Sequence, residues 1–212
     1  MKEIVETLTL ADGSDMAYFV FVPNDLKGPL PMILYLHGIG ERGNDIQLVK
    51  RFGLPKYLKN MELPYVVVVP QCQDGYFWDY HLRDVERIMD QVIQTYPVDE
   101  NRVCLMGTSM GAFGAWNYMI QRPERFQCLV SVAGGVMLPT DDNLKRIREK
   151  RFLLYHGVLD EVVPIANSLV IYQKLNQLGG NVMLKVFEKE NHFLTSHAFK
   201  DPNLWKWVQE NI

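Results

Sequence analysis

Gly107-Thr108-Ser109-Met110-Gly111 sets a serine between two glycines, where the apolar run Val103-Cys104-Leu105-Met106 gives way to a helical pattern of small residues. A strand, a sharp turn and a helix in that order lift the serine hydroxyl to the carboxyl edge of a sheet. A turn this tight strains the serine backbone and leaves no room for side chains two positions to either side, hence glycine at 107 and 111. The chemistry that fits is nucleophilic attack. A hydroxyl is too weakly acidic to attack at neutral pH unless a base takes its proton. The pattern is short, and a plain helix N-cap is the other use of such a serine. Its place at a strand-to-helix junction near mid-chain favours the nucleophile.

The elbow geometry carries an order: serine, then acid, then histidine, each at the carboxyl end of a strand. Of five histidines, His37 and His81 precede Ser109 and His156 precedes the best acid. That acid is Asp160, in the turn after the apolar run Phe152-Leu153-Leu154-Tyr155, where a carboxylate can fix an imidazole tautomer. Glu161 is the neighbouring alternative, and Asp141 or Asp142 a distant one. His192 follows the last expected strand at once and is the expected base, with His197, further on in an irregular segment, as its alternative. His156 reads as a structural or supporting residue. An oxyanion requires donors, and main-chain amides can supply them. Met110 N–H comes from the turn itself at a helix amino terminus. Ile39 N–H comes from His37-Gly38-Ile39-Gly40, where two glycines let the backbone bend toward a substrate.

The remaining pattern supplies the elements that must position these groups. Residues 4–10 and 16–22 have β-type composition around Asp12-Gly13 and predict an antiparallel hairpin. Near-continuous apolar runs at Met32–Leu36, Tyr65–Pro70, 103–106, 127–133, 151–156 and 181–188 predict strands covered on both faces. Helical spacing is expected over Leu48–Leu58, through Val85, Ile88, Met89, Val92 and Ile93, and over Met110–Gln121, Ile165–Leu178 and 202–209. Gly179-Gly180 and Asp201-Pro202 supply the stop and start signals of the last two. Strands alternating with helices predict a mostly parallel twisted α/β sheet, opened by the hairpin and covered by helices on both faces.

Length and composition bound the answer further. The 212 residues, 48% hydrophobic, suit one α/β domain over residues 1–212. A net charge of −3 with the signs interspersed gives no footprint for nucleic acid or an anionic membrane. Cys72, Cys104 and Cys128 show no ligand spacing and read as reduced core thiols. No apolar run approaches a membrane span, and no signal-peptide pattern opens the chain, so a cytoplasmic protein is expected. The sequence is silent on oligomeric state.

Together these residues resemble the α/β-hydrolase superfamily, and within it the compact phospholipase/carboxylesterase-like esterases, also labelled predicted peptidases. Leu36-His37-Gly38-Ile39-Gly40-Glu41-Arg42-Gly43 is similar to that group's oxyanion loop, and Val69-Pro70-Gln71-Cys72 with Trp78 to its Pro-Gln-Cys…Trp segment. His192 followed by Phe199, Asp201-Pro202 and Trp205-Lys206-Trp207 resembles its histidine segment. Ala112 and Asn191 depart from it, standing where glycine is common. The resemblance implies an α/β-hydrolase fold without a lid domain, since fewer than about twenty residues lie between the strands that usually flank one. It implies a serine carboxylesterase with no cofactor or metal. The expected substrate is a small-molecule ester or a short acyl group on a carbohydrate, reached by an open site. Gly38 and Trp78 are the expected substrate-binding residues, and Tyr76 and Phe77 candidates to line the pocket or stack on sugar rings, with packing the alternative. A serine peptidase of the same superfamily and a non-catalytic binding protein on this fold are the competing readings.

Overall fold

In the computed structural model, which describes residues 1–25 and 27–212, the first two strands meet at the Asp12-Gly13 turn, with Gly13 at φ +83°. They are β1 (Lys2–Thr9) and β2 (Asp15–Val22), antiparallel with Lys2 opposite Val22. The chain continues through β3 (Leu30–Leu36), α1 (Pro55–Leu58), β4 (Val66–Pro70), α2 (Trp78–Thr95), β5 (Val98–Thr108) and α3 (Met110–Gln121). It closes with β6 (Cys128–Val132), α4 (Asp141–Ile147), β7 (Arg151–Gly157), α5 (Ala166–Gln177), β8 (Asn181–Phe187), α6 (Thr195–Phe199) and α7 (Pro202–Asn211). The eight strands form one sheet in the order β1-β2-β4-β3-β5-β6-β7-β8. β2 runs antiparallel to β1 and β4, and the other pairings are parallel.

Residues alternate in depth along each strand because successive side chains leave opposite faces of the sheet. Met32, Leu34 and Leu36 pack on one face with Trp78, Val85, Ile88 and Trp116 of α2 and α3, and with Ile171 and Leu175 of α5. Ile33 and Tyr35 pack on the other with Leu58 of α1, Phe199 of α6 and Leu204 and Val208 of α7. Two apolar layers explain why the strands read as unbroken apolar runs rather than alternating ones.

Three local expectations change. The helix expected over Leu48–Leu58 is two pieces, a 3₁₀ turn at Ile46–Lys50 and α1, because Gly53 between them takes φ +57°. A Cβ on Gly53 would overlap the Tyr35 hydroxyl. β5 begins at Val98 rather than Val103, since Val98 pairs with Leu30 across a register shift while its Glu100–Arg102 stretch stays exposed. The polar stretch after β6 contains α4, started by Thr140, whose hydroxyl accepts from Asn143 N–H. All four segments expected to carry chemistry follow the carboxyl ends of β3, β5, β7 and β8, and so gather at one edge of the parallel sheet.

Candidate active site

Ser109 sits between β5 and α3 at φ 54°, ψ −123°, a conformation ordinarily costing on the order of 1–3 kcal/mol. The turn is held from both sides. Ser109 N–H donates to Val132 O at 2.9 Å, and Ser109 O accepts from Ala112 N–H at 2.9 Å. A Cβ on Gly107 would overlap the Gly111 carbonyl, and one on Gly111 the Leu36 carbonyl, so both glycines are required by contact. Ala112 is accommodated because it packs against Gly134, where a Cβ would meet the Ala112 methyl.

The structure brings the three expected side chains together. Ser109 Oγ lies 2.8 Å from His192 Nε2, and His192 Nδ1 lies 2.8 Å from Asp160 Oδ2. Asp160 is buried in the turn after β7, and its Oδ1 accepts from Val162 N–H at 3.0 Å and Val163 N–H at 2.8 Å. The acid and histidine turns are tied to each other by Val158 N–H to Phe187 O and Leu159 N–H to Glu190 O. Asn191 needs no glycine conformation; its Oδ1 instead accepts from Phe193 N–H at 3.0 Å and closes the histidine turn.

The alternative residues lie elsewhere. His197, in α6, pairs with Glu190 at 3.5 Å and packs beside Phe187. Glu161 is exposed, and Asp141 bonds Lys174 at 2.6 Å on α4. His156 does support the site, its Nε2 3.3 Å from Asp160 Oδ2.

Beside the serine runs the loop after β3. Met110 is the first residue of α3, so its N–H has no acceptor within the helix. Ile39 opens a 3₁₀ turn, Ile39–Glu41, and shares a cleft with Gly38, Ser109 and His192. Gly38 packs against the nucleophile, since a Cβ there would lie 3.6 Å from Ser109 Cβ. His37 is fully buried, its Nε2 accepting from Cys72 N–H at 3.0 Å and its Nδ1 2.7 Å from Gly38 O. Burial holds the ring neutral, lowering its pKa to about 4. The Pro-Gln-Cys segment braces this loop, because Gln71 Nε2 also donates to Glu41 O at 3.1 Å and Asp45 O at 2.8 Å.

Trp78 is a correction. Expected among the substrate-binding side chains, it is 1% exposed and packed against Gly114, with its Nε1–H donating to His37 O at 2.9 Å. An amphipathic ring in an aromatic cluster reads equally well as pocket wall or core, and here α2 turns it inward. Tyr76 and Phe77 are exposed and lie outside the cleft lining.

Two features were missed by sequence reasoning. One is the apolar wall of the cleft, a space of about 540 Å³ between Ile39, Phe52, Tyr57, Val162 and Phe193. Phe52 and Phe193 come from segments far apart in sequence, with ring centroids 6.4 Å apart. The other is Glu41, buried with its Oε2 accepting from Gly38 N–H at 2.9 Å. The available signal was an acidic residue three positions after Gly38, the spacing at which a carboxylate reaches back to the amide that opens a helical turn. Among the described residues no cluster of metal-ligating side chains occurs, and no helix is long and apolar enough to cross a membrane.

A strained serine turn ahead of an acid turn and a histidine turn, on a sheet of this strand order, defines an α/β-hydrolase with a serine-centred site. The chain belongs to the phospholipase/carboxylesterase family, whose model matches residues 77–203. It is 23% identical over 92% of its length to dipeptidyl peptidase family member 1 of Caenorhabditis elegans, covering 29% of that protein. It is 28% identical over 71% of its length to a bifunctional acetylxylan esterase/xylanase of Neocallimastix patriciarum, covering 22% of it. The chain thus spans less than a third of the curated relatives it matches. Among solved structures, a thermostable esterase superposes with TM-score 0.85 at 27% identity over 98% of this chain and 62% of that one.

Proposed function

We propose that this protein hydrolyses carboxylic esters through an acyl-serine intermediate. The observation carrying the proposal is the unbroken chain from Ser109 Oγ through His192 to Asp160, with both links at 2.8 Å. In this reading the Ser109 hydroxyl attacks the ester carbonyl while His192 Nε2 takes its proton, and Asp160 stabilises the imidazolium through Nδ1–H. The tetrahedral oxyanion is received by the N–H groups of Met110 and Ile39, the former at the positive end of α3. His192 then protonates the leaving alcohol, and a water molecule attacks the acyl-serine by the same route in reverse.

The substrate class is a short-chain or carbohydrate-linked acyl ester. Two features support it: segment 133–150, where a lid would be inserted, carries only α4, and the matched relative from Neocallimastix patriciarum is named a bifunctional acetylxylan esterase/xylanase. The likeness to a dipeptidyl peptidase favours a second reading, amide hydrolysis by the same residues. An amine leaves less readily than an alkoxide, so the two separate cleanly in assay. The test is turnover of matched ester and amide substrates by wild type and Ser109→Ala, with fluorophosphonate labelling of Ser109. Ester turnover that falls by roughly a million-fold in the variant supports the proposal. Substantial activity left in Ser109→Ala, or a folded wild type that takes no label, overturns it.

A further inference from the structure

Glu41 is a carboxylate 2% exposed in the loop after β3. One oxygen is spoken for by Gly38 N–H, while Oε1 is buried without a hydrogen-bond partner. Burying a carboxylate this way costs free energy that a neutral residue would not incur. The bond it makes is to the N–H of the His37–Gly38 peptide, one residue before Ile39 N–H, on a glycine beside Ser109. A glycine there is free to rotate unless both its ends are held, and while His37 Nδ1 and Glu41 N–H hold the Gly38 carbonyl, the Glu41 carboxylate holds its N–H. Because Gly38 N–H is engaged by Glu41, it is not available to a substrate oxygen, which leaves Ile39 N–H as the loop's donor.

Resting on the esterase reading above, we infer that Glu41 is a positioning residue for the oxyanion loop: its ionised carboxylate pins Gly38 N–H so that the next amide faces the reacting carbonyl, and loss of the charge slackens that amide.

The Glu41 charge is offset only by two backbone amides and one guanidinium. Arg51 approaches from the segment before Gly53, and Tyr35 faces it from β3 with its hydroxyl donated to Thr108 Oγ1. Arg42, next in the loop, is turned toward Asp74 and Tyr76 O. The His37 ring is buried and neutral, and His192 and Lys56 stand across the same cleft. Burial raises the Glu41 pKa to about 7, against the opposing pull of the Gly38 and Phe52 amides. The carboxylate therefore changes charge near neutral pH.

The experiment is p-nitrophenyl acetate hydrolysis by wild type and Glu41→Gln from pH 5 to 9, with fluorophosphonate labelling as a check on Ser109. Full activity in the wild type requires both an unprotonated base and an ionised Glu41, so log kcat/KM falls toward acid with a slope steeper than one across the Glu41 titration and returns to one below it. Glutamine keeps an acceptor for Gly38 N–H but carries no charge, so its limb falls with a slope of about one. Its kcat at pH 8 drops about 10- to 100-fold, less than the loss of a whole donor, with KM within about twofold. A folded variant with wild-type kcat, or a wild-type limb of unit slope throughout, overturns the inference. If Glu41→Gln does not fold, the wild-type slope decides alone: a stretch steeper than one supports, unit slope throughout overturns. A wild type that neither turns over the ester nor takes the label removes the esterase reading and this inference with it. An active, labelled wild type of unit slope removes the inference only.

Discussion

His156 abuts Asp160, with its Nε2 3.3 Å from the same oxygen that receives the His192 Nδ1 bond. Burial lowers the pKa of His156, which keeps the ring neutral. Its Nε2 also lies 2.8 Å from Val163 O, so two oxygen acceptors place the proton there, while Nδ1 lies 2.7 Å from Ser168 Oγ, which is also 3.1 Å from Gly134 O. Asp160 is thus surrounded by four donors, the Val162 and Val163 amides on Oδ1 and the two imidazoles on Oδ2. That arrangement fixes which oxygen faces His192, and it governs the first prediction.

Asp160→Asn cannot present its carbonyl to both sides. The Val162 and Val163 amides demand the oxygen, which leaves the amide NH₂ pointing at His192 Nδ1 and drives that ring's proton to Nε2. The base then has no lone pair toward Ser109, and ester turnover falls by about ten-thousand-fold with the fold intact. Steady-state kinetics alongside circular dichroism checks this; a loss below about tenfold contradicts it.

His197→Gln leaves kcat and KM within about twofold of wild type, because its ring pairs with Glu190 rather than with the serine. A loss comparable with that of His192→Gln would show that the wrong imidazole has been assigned.

The glycines separate stability from activity. Gly111→Ala forces a methyl into the Leu36 carbonyl and should cost about 3 kcal/mol or more, read as a lowered denaturation midpoint. Gly38→Ala meets Glu41 Oε2 at 3.5 Å and Ser109 Cβ at 3.6 Å, ordinary contacts. It should fold normally and lose activity by crowding the substrate; equal destabilisation of the two variants would refute the distinction.

Trp78→Phe removes the donor to His37 O and part of a packed indole. The expected outcome is a loss of about 1–3 kcal/mol in stability with KM unchanged. A selective rise in KM with stability unaltered would return Trp78 to the substrate site.

Two buried groups oppose each other in the pH dependence of stability. Between about 4.5 and about 7 the folded protein holds a proton on Glu41 that the unfolded chain has released, so this contribution declines as pH rises. Between about 6.5 and about 4 the unfolded chain protonates His37 while the folded one excludes the proton, so that contribution is lost as pH falls. Glu41→Gln removes only the first effect. Its melting temperature relative to wild type should therefore be higher at pH 8 than at pH 4.5 by a few °C. An offset independent of pH would contradict the assignment.

Much of this was legible in the chain because it is encoded locally. Gly107-Thr108-Ser109-Met110-Gly111 dictates its own turn by steric exclusion, and α3 spans the expected Met110–Gln121. Asp201 caps α7 through Asn203 N–H with Pro202 at its first position, as that pair of residues requires. The break at Gly53 was not legible, because its cause is the Tyr35 hydroxyl from a strand well back in the sequence.

The sequence by itself determined the residue types, their order and the strand ends on which they ride, since period, glycine placement and capping act over a few residues. Only the tertiary structure decided that the expected His192 comes within 2.8 Å of Ser109, that Trp78 faces inward, and that Phe52 and Phe193 share a wall. Those outcomes depend on which side of a packed sheet each loop returns to, and on contacts between segments far apart in the chain. Side-chain chemistry is written residue by residue, but the meeting of side chains is fixed by the packing of the whole.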